Sequence, residues 1–313
     1  MTPLPSPTLA PATTPSSAPA PRPRAWPSVG IVVINYNGWA LTDDCLRSLA
    51  ELDYPDAQVI LVDNGSTDDS LAQLRARHPD QPVLTIPRNV GFTAANNVGT
   101  REALRRGLDY VWLLNNDTVV PPEVLHELVK VAEDHPRLGA VTSVLYHLRR
   151  PEELQSWGGG YVDLWRGSAA LFESPVDWAR LDFLAGTSLL VRTRALQEVG
   201  LLDERYFMYW EDADLCFRLR QAGWGLGIAE RARTWHLGAA SMGMSTMTDK
   251  STAYELQFTK SAVRFFRRHA PVPAVALLAG PGTYLVKRVL RGQWQRAAAV
   301  ARGGWLAVRP DPR

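Results

Sequence analysis

Residues 110–120, YVWLLNNDTVV, turn from apolar to acidic within a few positions. Tyr110 to Leu114 form a short continuous apolar run, the pattern of a strand buried on both faces. Asn115, Asn116 and Asp117 end that run, and Pro121 and Pro122 open the next element. Two amides and a carboxylate at the mouth of a core strand either make a turn or hold a ligand. A strand buried on both faces needs neighbours of the same kind, and the flanking sequence supplies them.

Upstream, VGIVVI (29–34), AQVILV (57–62) and VLTI (83–86) read as strands rich in β-branched residues. Between them, Leu41, Cys45, Leu49 and Leu52 share one helical face. Ser66 is placed to cap a second helix, with Asp69 three residues on and Leu71 and Leu74 inside it. A third helix spans 93–106. Downstream, the Pro121–Pro122 helix runs through Glu133, and GAVTSVLY (139–146) is a fifth strand. Strand and helix alternating at this spacing predict an α/β fold, with a mostly parallel Rossmann-like sheet and helices on both faces. In such sheets ligands bind beyond the carboxyl ends of the strands.

After residue 147 the pattern loosens. SWGGGYVD (156–163) reads as a flexible connection, FLAGTSLLVRT (183–193) as a buried strand, and WGLGIAE and ARTWH as short extended pieces. Residues 210–224 form a helix with an apolar stripe of Leu215, Cys216 and Leu219, stopped by Gly223. Residues 251–269 form a basic amphipathic helix carrying Phe258, Val263, Phe265 and Phe266. The apolar stretch 271–286 is broken by Pro and Gly and falls short of the roughly 20 residues that span a bilayer. It is either an interfacial anchor or a helix packed on the core.

The 313-residue chain carries 34 basic and 32 acidic side chains, so no strong global field points to nucleic acid as a partner. Its two cysteines lie inside apolar helical patterns with no metal-ligand spacing, which fits buried thiols in a reducing compartment. Residues 1–27 are rich in Pro, Ala, Ser and Thr, lack the apolar core of a secretory signal, and read as a disordered leader. The expected organisation is this leader, a domain over 28–245 (a nucleotide half, 28–147, and an acceptor half, 148–245), and a helical extension over 246–313.

The strand ends carry NYNG (35–38), DNGS (63–66), RNVGFTAANNVG (88–99) and NND (115–117). Each alone is turn chemistry; all four fall on one edge of the expected sheet. Asn35, Asn37 and Asn116 offer amides there. Asp63 suits an imide N–H or ribose hydroxyls, Arg88 a phosphate, and Gly91 a close backbone approach beside a helix N-terminus. Asp117 is a hard oxygen ligand for a cation bridging a diphosphate. The set suits a nucleoside diphosphate. GxGxxG and GxxxxGK[ST] are both absent, which disfavours a dinucleotide enzyme or a P-loop ATPase.

Taken in order, VVINYNG, DNGSTDDS, RNVGFTAANNVG, LLNND, GTSLLVR and FMYWEDADLCFRLRQAGW resemble the inverting family 2 glycosyltransferases of the GT-A fold, in particular their rhamnosyltransferase-like and galactofuranosyltransferase-like branch. The resemblance covers about two thirds of the chain. Where the family ends its fourth strand in an Asp-x-Asp-type triplet, this chain has Asn115–Asn116–Asp117, so Asp117 alone carries charge. The resemblance implies Asp212 as catalytic base, Glu211 beside it for positioning or acceptor contact, and His236 joining Asp117 on a divalent cation, Mg²⁺ or Mn²⁺. Asp214, two residues from the base, falls on another side of the helix and reads as structural. Trp210, Tyr209 and Trp157 form either a stacking platform for sugars or part of the core.

The expected activity is inverting transfer of rhamnose or a related hexose from a dTDP- or UDP-sugar to a glycan or glycolipid acceptor in cell-envelope polysaccharide synthesis. The expected location is the cytoplasm, at the inner face of the membrane, with peripheral contact through the C-terminal region. Two rivals share parts of the pattern. A sugar-phosphate nucleotidyltransferase needs a phosphate-cradling loop near its start, which VINYNGWA does not offer. A non-catalytic sugar-nucleotide-binding scaffold would keep the fold without needing Asp212.

Overall fold

The alternating runs form a βαβ succession in the computed structural model, which describes residues 26–238 and 252–309. The expected leader therefore lies almost wholly outside the described residues, as do both sides of the boundary expected at 245. In the first half, β1 (Val29–Asn35), α1 (Trp39–Ala50), β2 (Ala57–Asp63), α2 (Ser70–Arg77), β3 (Val83–Thr85), α3 (Phe92–Arg105) and β4 (Tyr110–Asn115) follow the sequence pattern closely. Then come β5 (Thr118–Val119), α4 (Val124–Asp134) and β6 (Leu138–His147). The prolines at 121 and 122 precede α4 without entering it. Ser66 does not cap α2, which begins at Ser70; its hydroxyl bonds Asp63 Oδ1 at 2.6 Å and closes the turn after β2 instead.

The second half holds more strand than its sequence pattern suggests. Residues 156–163, expected as a connection, join β7 (Arg150–Ser156) to β8 (Gly159–Asp163), which pairs with β9 (Ser168–Leu171). The stretch 183–193 splits into β10 (Phe183–Leu184) and β11 (Ser188–Arg192), followed by α5 (Thr193–Val199). After α6 (Glu211–Gln221), the two extended pieces are one strand, β12 (Gly225–His236), with a bulge between Ala229 and Arg233. The extension folds as α7 (Thr252–His269), α8 (Pro273–Leu277), a π-turn at 278–282, α9 (Thr283–Leu290) and α10 (Trp294–Val308).

The main sheet has the order β3-β2-β1-β4-β11-β6-β12-β5, with β7 on the end of β6. It is parallel across β3, β2, β1 and β4 and again between β6 and β12, while β11 runs antiparallel between the two groups. Alternate residues of each central strand face opposite layers. Ile31 and Val33 meet α1, α2 and α4, whereas Val32 and Ile34 meet the layer holding α3, α5, α6 and α7. Because α1 and α3 cover opposite faces, a crevice opens between the carboxyl ends of β1 and β4, where the chain reverses its direction across the sheet.

Candidate active site

At that crevice the strand ends are tied together by one chain of hydrogen bonds. The Asn116 amide donates to Thr42 Oγ1 (2.8 Å), Thr42 Oγ1 to Asn35 Oδ1 (2.8 Å), and Asn35 Nδ2 to Asp63 Oδ1 (2.8 Å). Ser66 completes it through its N–H to Asp63 Oδ2 and its hydroxyl to Oδ1. Asn37, in a left-handed conformation at φ 49°, clamps Thr67 with both ends of its amide. A loop with these buried polar groups satisfied by one another is held in one shape. Asn64 fixes the next loop in turn, bonding Asn89, Val90 and the Gly91 carbonyl. Gly91 (φ 93°) admits no side chain, since a Cβ would stand 2.6 Å from the Phe207 carbonyl oxygen.

Above these loops lies a cavity of about 1240 Å³. It is lined by Tyr36, Asn37, Asn115 and Asn116 from the first half, and by Tyr209 to Asp212 and His236 from the second. The far side is closed by residues 166–171 of the β8–β9 hairpin and by residues 279–287 of the extension. Of the residues singled out in the sequence, Asn37, Asn116, Tyr209, Trp210, Glu211, Asp212 and His236 line this one space. Asn35 and Asp63 lie just beneath it in the hydrogen-bonded network, Arg88 is exposed on the adjoining loop, and Gly91 packs on Phe207. Trp157 is outside the cavity wall and packs against the core.

Asp212 is the second residue of α6, and the turn that delivers it is strained: Tyr209 and Trp210 both have positive φ, at 70° and 68°. Burial of the Trp210 ring against Phe258, Phe265 and Phe266 holds that conformation. The Asp212 carboxylate accepts from the Gly186 N–H at 3.0 Å and from the Ala213 N–H at 2.8 Å. Gly186 is a partner that the sequence pattern missed, because the 183–193 stretch read as one continuous strand. Burial raises the Asp212 pKa, against those backbone donors, and raises that of Glu211, with the neighbouring Asp212 charge adding to it. Asp214 faces away, paired with Arg218, Arg268 and His269.

Asp117 sits behind His236, 2% exposed, with Oδ1 3.2 Å from His236 Nε2. Neither carboxylate oxygen has a hydrogen-bond donor among the described residues, and the Asn115 Oδ1 atom beside them has none either. His236 Nδ1 donates to Gln155 Oε1 at 2.7 Å, which orients the ring with Nε2 toward Asp117. Gln155 is a second partner outside the sequence expectations. Nε2 and the Asp117 carboxylate face each other across 3.2 Å, with buried carboxylate oxygens that lack donors, and an imidazole and a carboxylate so placed fit a hard divalent cation. Among the described residues no group of three or more His, Cys, Asp or Glu is placed to hold a metal ion, so further ligands would have to come from amides, solvent or substrate.

Residues 27–269 match the glycosyltransferase like family 2. The chain is 30% identical over 241 residues to an N-acetylglucosaminyl-diphospho-decaprenol L-rhamnosyltransferase of Mycobacterium tuberculosis, covering 68% of this chain and 77% of that protein. It is 24% identical over 217 residues to a low-salt glycan biosynthesis hexosyltransferase of Haloferax volcanii, covering 64% of each. Among solved structures, a Pyrobaculum calidifontis mannosyltransferase in complex with GDP-Man and Mn²⁺ superposes with a TM-score of 0.58 at 20% identity, over 93% of this chain and 83% of that one. That similarity carries the fold.

Proposed function

The chain belongs to the glycosyltransferase like family 2 and is a sugar-transferring enzyme, and we propose that it moves rhamnose or a related hexose, with inversion, from a dTDP- or UDP-sugar to a lipid-linked saccharide of the cell envelope. The observation that carries this reading is one cavity lined both by Asp212, Glu211 and His236 and by residues at the ends of β1 and β4. The nucleotide lies along the first-half loops. Asn37 and Asn116 line its bed, Asp63 Oδ2 keeps a lone pair for an imide N–H, and Arg88 reaches the phosphates from the rim by Gly91.

An acceptor hydroxyl attacks the anomeric carbon as the nucleoside diphosphate departs from the opposite side, which inverts that centre. Asp212 takes the hydroxyl proton, a role worth roughly 10²–10⁴ in rate. The Gly186 and Ala213 N–H groups fix the carboxylate while leaving lone pairs for the incoming proton. Glu211, Tyr209 and Trp210 shape the acceptor side. Asp117 and His236 would hold Mg²⁺ or Mn²⁺, which neutralises charge building on the departing diphosphate. The solved mannosyltransferase with GDP-Man and Mn²⁺ gives this choice of cation its support.

The test is Asp212→Asn. Nucleotide-sugar binding, read by calorimetry, should stay at the wild-type level while turnover falls by about 10²-fold or more. Wild-type turnover in that variant would remove the base assignment and favour a binding protein that only keeps the fold.

A further inference from the structure

We propose that the C-terminal helices and the β8–β9 hairpin form one docking surface for an anionic lipid bilayer, placed at the mouth of the cavity. Of thirteen exposed large apolar side chains among the described residues, nine lie between Val272 and Val308, and three more, Tyr161, Trp165 and Leu171, lie on or beside the hairpin. The two groups are one region: the hairpin backbone at Gly167 touches α8 and the π-turn so closely that a Cβ there would stand 2.1 Å from the Ala276 carbonyl oxygen. Both groups also border the cavity, through Arg166–Leu171 and Ala279–Lys287.

The helices are built to present that surface. Ala297, Val300, Gly303 and Ala307 of α10 are buried, and Gly303 sits directly on the Leu256 carbonyl of α7. Trp294, Trp305 and Val308 fall within about 60° of one another on the side away from Gly303, at 100° per residue, and are 67%, 49% and 52% exposed. On α9, Val286 and Leu290 are one turn apart and 53% and 80% exposed. No helix among the described residues is long and apolar enough to cross a membrane, so contact from this face is lateral. Indole rings and aliphatic side chains at such a face suit the headgroup boundary of a bilayer.

Charge selects the occupant. Between Glu255 and Asp311 the sequence holds ten Lys or Arg and no Asp or Glu, although the chain as a whole is only +2. Some of these cations are committed inside the fold, such as Arg288 to Glu255. Lys287, Arg291, Arg302 and Arg309 are exposed around the apolar face. Each cation near an anionic leaflet adds to the attraction, and salt screens it. A two-fold dimer through the same face would set that excess of positive charge against itself. A bilayer also fits the cavity mouth, since an acceptor with a lipid tail would then enter without leaving its membrane.

Flotation of the full-length protein with vesicles tests this, and it reads no sugar transfer. Wild type should float with vesicles containing phosphatidylglycerol, more weakly at high salt, and not with pure phosphatidylcholine. The Trp294→Glu/Trp305→Glu variant, at unchanged melting temperature, should partition about tenfold more weakly or worse. Should that variant fail to fold, Arg291→Ala/Arg302→Ala/Arg309→Ala serves instead and should lose the preference for anionic lipid. Asp212→Asn should float as wild type does, whatever its activity, which separates this proposal from the catalytic one. Equal binding to both lipids, wild-type flotation of a folded surface variant, or a wild-type dimer in sedimentation that the tryptophan variant dissociates would each overturn it.

Discussion

Glu211 is 6% exposed, and its Oε2 lacks a hydrogen-bond donor among the described residues. Such a group sets up a conflict between catalysis and stability. Burial raises its pKa and the Asp212 charge adds to the rise, while burial raises that of Asp212 as well. As pH increases, the unfolded chain therefore releases these protons first, from about pH 4, and folding stability falls until the folded pair has also ionised. Glu211→Gln removes the mutual repulsion. Its melting temperature should exceed that of wild type in alkaline buffer and converge with it below about pH 4, as scanning calorimetry at a series of pH values would show. Asp212 must be unprotonated to accept a proton, so kcat/KM should rise with pH along a limb lying above the ordinary carboxylate range, as a pH profile of initial rates would show.

The same scale governs the pair proposed to hold the cation. Asp117→Ala leaves His236 and the nucleotide loops in place but removes the orphaned carboxylate. Stabilisation of the protein by Mn²⁺ together with a nucleoside diphosphate, read by thermal shift, should shrink or vanish in this variant. Gln155→Ala should weaken the same response by a smaller factor, about 10–100-fold in cation affinity, because the ring then loses the partner that orients it. An unaltered Mn²⁺ response in both variants would move the cation elsewhere.

At the scale of elements, contact between small residues decides the packing of α10. Gly303→Ala would place a methyl 2.5 Å from the Leu256 carbonyl oxygen, and backbone cannot yield as a side chain can. Overpacking of this kind costs about 1–3 kcal/mol, more than the roughly 1 kcal/mol that Ala gains over Gly in a helix. The midpoint of urea unfolding should fall accordingly. The elements themselves were unequally legible. Strands β1, β2 and β4, buried along most or all of their lengths, announced themselves as unbroken apolar runs. β7 did not: its residues 150–155 are mostly polar and exposed, because it lies off the main sheet path and pairs only with β6. The break between β10 and β11 was hidden for the opposite reason. Ala185, Gly186 and Thr187 look like continuing strand, yet their backbone turns to serve Asp212.

Across the whole molecule, Asp214 joins α6 to the extension. It is fully buried and receives Arg218 from its own helix, and Arg268 and His269 from α7, at 2.8–3.0 Å. Burial alone would raise its pKa, but the His269 hydrogen bond and the two guanidinium groups outweigh this and lower it. The lowered value means that its stabilising contribution is full above the usual carboxylate pKa of about 3.9 and disappears as pH falls through the folded value. Asp214→Ala removes the buried carboxylate these groups share and should cost about 3–5 kcal/mol. The loss should shrink toward acid pH, as denaturation curves at two pH values would reveal.

By itself, the sequence determined the α/β class, the parallel succession of the first half and the edge of the sheet where polar residues gather. Each follows from local periodicity and from which residues can end a strand. It also carried Asp212, Glu211, Asp117 and His236 as candidates, through motifs read in order. Only the tertiary structure decided that Asp212, Glu211 and His236 share a cavity while Trp157 lies outside it. It alone supplied Gly186 and Gln155 as their partners, and brought a hairpin and a C-terminal extension together around the same opening. The physical reason is separation along the chain. Partners 26 and 81 positions apart meet through strand order and helix packing, which no local pattern of side chains encodes.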